Sequence, residues 1–474
     1  MHLLFVVKEI DNEPHGILLI AAVLKKHGHR VSLVVGTEED PVEAALRLRP
    51  DVVGYSVYTG TQRYYLEVNR RVKAQLEVLS LFGGPHPTFF PEIIEEEGVD
   101  AVCVGEGEYA TLELMDALQA GSSYRHIANW WLKDGTQIVR NSPRPLLTST
   151  ELDDLPFADR QLLYEAHPAS RRTRIRPFIT GRGCPYNCTF CFNEAYSQLY
   201  HQAGHSVALR RRSVDNVLRE IATVADRYGL AFITFMDDTF ILHPEWLSEF
   251  ERRYPAEIGI PFWCQVRANL VDDRIAQFLK RAGCVSVSFG IEAGNERLRN
   301  QVLNRNMTRE QILRAAATLR EHAVAFSTNN MLGLPTGGLQ EDMETLSLNI
   351  ECRPDYANVF LYQPYPKTQL GELAMASGFM CGSFDDLSGS VTQDTLIRFG
   401  DDKEARQMLF AITVEFPWLL PLTERLIMLP PNPLFWLIYK VWKGYAMKRR
   451  MFPFRLTPRE YASTALQYMR IRSQ

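Results

Sequence analysis

Short apolar runs alternate with segments of helical period along the first 145 residues. "LLFVV" (3–7), "RVSLVV" (30–35), "DVVGYSVY" (51–58), "EVLSLFGG" (77–84) and "DAVCVGEGE" (100–108) have the length and unbroken apolarity of strands covered on both faces. Between them, "GILLIAAVLKKHG" (16–28), "DPVEAALRLRP" (40–50) and "TQRYYLEVNRRVKAQL" (61–76) read as helices, with Gly28 placed to stop the first. Strands alternating with helices predict a doubly wound parallel sheet. A second series of the same kind begins near residue 173. Its strands are predicted at 176–184, 230–238, 262–268, 284–294, 325–335 and 356–366. Its helices are predicted at 214–229, 244–255, 273–283, 309–323 and 340–352. Six strand–helix units make a partial (β/α)6 barrel, with chemistry expected at the carboxyl ends of the strands.

"STELDDLPFADRQLLY" (149–164) lies between the two series, is acidic, holds Pro156 and keeps no period. The α/β organisation is therefore a doubly wound N-terminal domain at 1–145, a linker at 146–172, a partial barrel at 173–370 and a mainly helical C-terminal region at 371–474. In the first domain the strand ends carry Ser56 and Thr59, then Gly83, Gly84 and His86, then Gly105, Glu106 and Gly107. Open α/β sheets bind ligands at such ends, where glycine lets backbone approach a ligand; the same glycines also serve plain tight turns.

Composition narrows the function. The chain has 474 residues, 46% hydrophobic and 23% charged, enough for several buried cores. A formal net charge of -4 gives no field that would gather nucleic acid. The N-terminus lacks a basic leader and reads as a strand rather than a signal peptide. No uncharged apolar run reaches the ~18 residues of a membrane span. These features predict a cytoplasmic chain with reduced thiols, so its eight cysteines are not a disulfide framework.

Three of those cysteines stand together in "GRGCPYNCTFCFNEA" (181–195): Cys184, Cys188 and Cys191, spaced C-x3-C-x2-C. Three thiolates can hold three irons of a [4Fe-4S] cluster and leave the fourth open to an outside ligand. A structural zinc site would need a fourth ligand from a second pair, and the next cysteine is the lone Cys264. Cys103 and Cys284, in apolar strands, read as core thiols.

The spacing, with Phe190 before the last cysteine and the repeated strand–helix units after it, resembles the radical S-adenosylmethionine superfamily. The first domain, through "PHGILLIAAVLKKHGHRV", "PDVVGYSVYT", "FGGPHPTFFPE" and "VCVGEGEYATLEL", resembles the Rossmann-like cobalamin-binding domain that precedes many of those enzymes. The resemblance implies that the open iron binds S-adenosylmethionine and that one electron cleaves it to a 5'-deoxyadenosyl radical. It implies cobalamin at Ser56, Thr59, Gly83, Gly84, His86, Gly105, Glu106 and Gly107. The D-x-H-x-x-G motif that supplies a histidine beneath cobalt is absent, so no imidazole ligand from this loop is expected. In the barrel, "FMDDTF" resembles the motif near the amino group of S-adenosylmethionine and implicates Asp237, with Asp238 free to cap a helix. Arg267 can fork onto the methionyl carboxylate or form a surface ion pair. Glu292, in "FGIEAGNE", is implied to accept the ribose hydroxyls, and Leu334 and Pro335, in "GLPTGG", to lie beside the adenine. "QPYPKTQL" has Lys367 where the family often has glycine.

"FPWLLPLTERLIMLPPNPLFWLIYKVWKGYAMKRRMFPF" (416–454) breaks its apolar run with prolines and ends in Lys and Arg. It reads either as a helix packed on the barrel with a solvated basic end, or as peripheral membrane contact through residues 426–450. The function expected is a cobalamin-dependent radical methyltransferase acting on an unactivated carbon of a small-molecule or lipid substrate. Its reductant would be external, such as flavodoxin or ferredoxin. A cobalamin-associated oxidative cyclase or rearrangement enzyme is the alternative, ahead of a non-catalytic metal-binding protein or a methylthiotransferase.

Overall fold

The computed structural model describes residues 1–387, 395–398 and 403–452. The chain forms two compact units. Among the described residues, the first is built from Met1–Thr173 and Gln198–Val207, the second from Arg174–Ser197 and from Ala208 to Phe452.

In the first unit, strands β1 (His2–Val7), β2 (Arg30–Val35), β3 (Val52–Ser56), β4 (Leu79–Gly83) and β5 (Ala101–Cys103) pair in parallel in the order β2-β1-β3-β4-β5. The helices His15–Lys26, Pro41–Leu48, Gln62–Lys73 and Glu108–Ala120 connect or follow them. Leu4, Val6, Val53, Tyr55, Phe82 and Val102 form the middle of one core. The sheet continues through an antiparallel hairpin, β6 (Trp130–Asp134) and β7 (Gln137–Arg140), absent from the sequence-based expectation. Its turn places Gly135 at φ +60, the left-handed region that glycine enters without strain.

Residues 146–172, expected as a linker, fold with this unit in three short helices, Ser149–Asp154, Arg160–Ala166 and Pro168–Arg172. The acidic, periodless composition has a local cause. Thr148 and Glu151 form a reciprocal cap, and Asp159 caps the next helix through Leu162 N. Arg160 pairs with Glu13, Tyr164 donates to Glu13 Oε1 at 2.8 Å, and Lys25 reaches Asp159 at 2.6 Å.

The second unit holds a six-stranded, all-parallel sheet in chain order: β8 (Ile175–Phe178), β11 (Phe232–Phe235), β12 (Phe262–Val266), β13 (Cys284–Glu292), β14 (Ala325–Leu332) and β15 (Tyr356–Leu361). Two short strands, β9 (Gly181–Arg182) and β10 (Arg210–Arg211), pair with each other after β8. β8 and β15 do not join, so the barrel is partial. Phe262, Cys264, Val266, Val287, Phe289 and Ile291 face the helices in a large core. Side chains alternate along a strand, so Trp263, Gln265, Ser286, Ser288, Gly290 and Glu292 take the other face. That face is polar: Trp263 Nε1 donates to Ser288 Oγ at 3.0 Å, and Ser288 meets Ser327 at 2.5 Å.

The C-terminal region is helical where described, with Lys403–Glu415, Leu420–Leu426 and Pro433–Ala446; the expectation for 388–394, 399–402 and 453–474 lies outside the described residues. Met451 O accepts from Ser286 Oγ at 2.5 Å, and Phe452 meets Phe232 edge-on. Among the described residues no helix is long and apolar enough to cross a membrane.

Candidate active site

In the second unit the cysteine loop follows β8 and is tied down at several points. Thr189 Oγ1 donates to Val302 O at 2.6 Å, Asn304 Nδ2 to Asn187 O at 2.7 Å, and Leu370 N to Thr189 O at 2.9 Å. Phe190 packs against one apolar cluster with Leu298, Leu303, Leu334 and Leu370, which ties the loop to the core. Pro335 is buried beside Leu334. Cys188 is buried; Cys184 and Cys191 are half-buried. Burial pushes the Cys191 thiol up to about 11 and raises that of Cys184, with the nearby Asp238 and Cys188 adding to both and Cys184 adding to Cys191. The three thiols thus sit within electrostatic reach of one another. Among the described residues no three His, Cys, Asp or Glu side chains converge as the ligands of a single ion do. Three thiols on one loop, Cys188 buried and the other two half-buried, are the donor set that a [4Fe-4S] cluster with one open iron would take.

Two guanidinium groups meet Cys188. Arg267 Nη1 lies 3.8 Å and Arg305 Nη1 3.6 Å from its sulfur. Arg267 stacks over the Tyr186 ring at 3.8 Å and donates to Arg305 O. Arg305 Nη2 donates to Gly290 O at 2.8 Å and lies 3.9 Å from Glu292 Oε1. Arg267 and Arg305 are buried, and the Nε of each has no partner among the described residues. Buried donors of this kind are costly unless a ligand answers them. Arg267, expected at a strand end, is therefore at the cysteine loop and not in a surface ion pair. Arg305 was not foreseen; it stands in irregular chain between β13 and β14, where no strand or helix pattern singles it out.

Glu292 ends β13 at φ +64, where the β13–β14 register shifts. A non-glycine residue in that region is uncommon and marks functional sites. Burial raises its carboxyl above the usual range, and Arg305 and Arg267 oppose the rise. Its carboxylate folds over Gly290: a β-carbon there would overlap Glu292 Oε1 and stand 3.0 Å from Arg305 Nη2.

The pair at the end of β11 divides differently from the expectation. Asp237 is buried, with Oδ1 accepting from Thr180 Oγ1 at 2.6 Å and Oδ2 from Thr180 N at 3.2 Å. Arg211, stacked on Trp246 at 3.8 Å, donates to the same Thr180 hydroxyl at 3.0 Å. Asp237 thus braces the β9–β10 region. Its exposed neighbour Asp238 faces the loop, bonded by the Asn193 side chain and near Cys184 and Cys191. Parity reveals the difference: Asp237 shares a strand face with Phe235, which packs into the helix-side core.

In the first unit the carboxyl edge gathers Ser56, Thr59, Gly83, Gly84, His86 and Gly105. Ser56 pairs in register with Gly83. Thr59 Oγ1 meets His86 Nδ1 at 3.2 Å, and the His86 ring stacks on Phe90 at 4.9 Å. Gly84 has φ +96, and a β-carbon there would stand 3.0 Å from Ser56 Oγ and Val57 N. Gly105 has φ +91, and a β-carbon there would overlap the hydroxyl of Tyr200. These two glycines are required by the chain itself. At Gly83 the nearest atom to such a carbon is Cys103 Cβ at 3.7 Å, so a side chain there would make only an ordinary contact. Gly107 caps the helix Glu108–Ala120, and Glu106 Oε2 accepts from Leu147 N at 3.0 Å. Cys103 is a core thiol, pushed up to about 12 by burial.

Residues 1–115 match the family model of the B12 binding domain, and residues 178–348 that of the Radical SAM superfamily. The chain is 29% identical to an uncharacterized methyltransferase of Pyrococcus horikoshii, over 77% of this chain and 79% of that protein. It is 26% identical to the anaerobic magnesium-protoporphyrin IX monomethyl ester cyclase of Rubrivivax gelatinosus, over 75% of this chain; the match spans 65% of the cyclase's length. Its fold is similar to that of the radical S-adenosylmethionine methyltransferase TsrM from Kitasatospora setae, solved with cobalamin and a [4Fe-4S] cluster. The TM-score is 0.67 and the identity 18%, covering 80% of this chain and 76% of that one. With a cysteine loop at the mouth of a six-stranded parallel sheet and a B12-type domain before it, the chain belongs to the radical S-adenosylmethionine enzymes that carry a B12-binding domain.

Proposed function

We propose that the chain is a cobalamin-dependent methyltransferase that acts on an unactivated carbon of a small-molecule substrate and draws its electron from an external reductant such as flavodoxin or ferredoxin. The observation that carries this reading is the convergence of Arg267 and Arg305 on Cys188, with Glu292 beside Arg305, in a chain whose first domain is of the B12-binding family. When bound, a [4Fe-4S] cluster with S-adenosylmethionine supplies a 5'-deoxyadenosyl radical for hydrogen abstraction, and methylcobalamin supplies the methyl group. The three cysteines would hold the cluster, and Leu334 and Phe190 keep their loop in place. Arg267 and Arg305 set positive charge against the Cys188 sulfur and present unpaired Nε donors. Glu292 is placed to accept hydroxyl donors, and Asp238 takes the role first given to Asp237. Ser56, Thr59, Gly83 and His86 would line the cobalamin edge.

The cyclase reading stays second, favoured by the similarity to the Rubrivivax cyclase. Anaerobic reconstitution with iron and sulfide, then addition of cobalamin, S-adenosylmethionine and a reductant, tests the proposal. The expected results are cluster absorbance, a cobalamin spectrum altered on binding, and 5'-deoxyadenosine that disappears in Cys188→Ala. Folded protein that takes up the cluster but leaves the cobalamin spectrum unchanged would remove the methyltransferase reading.

A further inference from the structure

The helix Pro433–Ala446 is apolar on two sides, and the fold uses only one. Phe435 and Tyr439 pack with Met408, Leu409 and Ile427, and Ala446 packs with Ala411 and Met451. Leu434, Leu437, Val441 and Tyr445 recur three and four residues apart, so they form a separate stripe, and they are 61%, 59%, 63% and 50% exposed. The preceding segment extends this surface with Trp418, Leu422, Met428 and Leu429, exposed at 75%, 51%, 65% and 48%. Of the fourteen large apolar side chains exposed among the described residues, nine fall between 416 and 445. Scattered exposed leucines need no explanation, but this concentration does.

Charge identifies what covers it. Residues 416–452 hold six Lys and Arg against one acidic residue, Glu424, in a chain whose net charge is -4. Arg450 is committed to Glu415, at 2.8 and 3.0 Å. Arg425 and Arg449 are exposed, and Lys440 Nζ lies 4.6 Å over the Trp436 ring. Long basic side chains beside tryptophan and aliphatic groups suit the boundary between lipid headgroups and acyl chains, where the stems lie in the apolar layer and the charges meet phosphate. A protein partner for so apolar a stripe would need no such excess of positive charge. The prolines at 430, 431 and 433 break the segment into short pieces, a form that lies along a surface and does not cross it.

We infer that residues 416–449 form a peripheral docking face for an anionic lipid bilayer. The inference does not use the chemistry proposed above, and its test needs no turnover, so the two readings fail separately. The reconstituted full chain is floated with phosphatidylcholine vesicles, with or without about 30% phosphatidylglycerol. It should bind the anionic vesicles, bind the neutral ones at least about tenfold more weakly, and leave the anionic ones as salt rises toward about 0.5 M. Leu434→Gln, Leu437→Gln and Val441→Gln together should weaken binding at least about tenfold while cluster absorbance and thermal unfolding stay close to the parent's, because these side chains are more than half exposed and belong to none of the packed clusters of this region. Lys440→Glu with Arg449→Glu should abolish the preference for anionic vesicles. The inference is overturned if the parent does not float with anionic vesicles, or if the triple variant floats as well as the parent. It is overturned equally if light scattering finds a dimer that the triple variant converts to monomer without any vesicle binding, since a second copy would then own this face.

Discussion

Gly290 shows how closely the site is fitted. Its missing side chain makes room for the Glu292 carboxylate and the Arg305 guanidinium. Gly290→Ala should therefore act like a lesion in Glu292, displacing the carboxylate while the cysteines keep their loop. The expected outcome is weaker S-adenosylmethionine binding by calorimetry, about tenfold or more if two hydroxyl bonds are lost, with iron content unchanged. Arg305→Met makes a different prediction. It leaves the Gly290 carbonyl without its donor, at a cost of about 1–3 kcal/mol in unfolding free energy. It also removes a positive group 3.6 Å from the Cys188 sulfur, so an EPR redox titration should find the cluster harder to reduce. An unchanged potential would mean that Arg305 only holds the strand end. At this scale the sequence made the cysteines and Glu292 readable, because each lies in a short motif at a predicted strand end. Arg305 was hidden because its position depends on how the chain after β13 folds back. That Asp237 is buried against Thr180 while Asp238 is exposed is a matter of strand parity, which Phe235 signals.

Among elements, the alternation of apolar runs and helices made both parallel sheets legible, since strands covered on both faces leave an unmistakable apolar trace. The hairpin Trp130–Arg140 went unread although Asp134-Gly135 is a strong turn signal, because its strands are short and mix Trp and Leu with Lys, Asp and Arg. Residues 146–172 passed for a linker because capping residues resemble loop composition. The strand-end glycines now divide into two kinds, and the division is testable. Gly84→Ala meets both a φ of +96 and atoms at 3.0 Å, so it should destabilise the first unit by about 1–3 kcal/mol even without cobalamin. Gly83→Ala meets only Cys103 Cβ at 3.7 Å and should leave thermal unfolding nearly unchanged. Equal losses in the two variants would show that Gly83 is as structural as Gly84. Gly84 is accordingly a poor probe of cobalamin, because its substitution damages the turn before any ligand is present.

Over the whole molecule, the first unit is not one continuous stretch: residues 198–207 belong to it although the chain has by then entered the second. Nothing in the local pattern of those residues announced this, since a helix after the cysteine loop looks the same whichever core it joins. Tyr200 carries the consequence. It is fully buried, its hydroxyl occupies the space beside Gly105, and His205 Nε2 meets Pro143 O at 2.9 Å a few residues later. The edge proposed for cobalamin is thus completed by a residue nine positions after Cys191. Tyr200→Ala should remove a large buried ring and cost about 3–5 kcal/mol in the first unit, seen as an earlier unfolding transition. Cluster content should stay that of the parent, because Cys184, Cys188 and Cys191 and the residues that pin their loop are untouched. Cobalamin binding should weaken, because the space beside Gly105 that the Tyr200 hydroxyl fills is left empty. Tyr200→Phe keeps the ring and should restore most of the stability, which separates packing from the hydroxyl. If Tyr200→Ala instead unfolds no earlier than the parent, the segment 198–207 does not stabilise the first unit, and a fragment ending at Thr173 should fold and bind cobalamin alone.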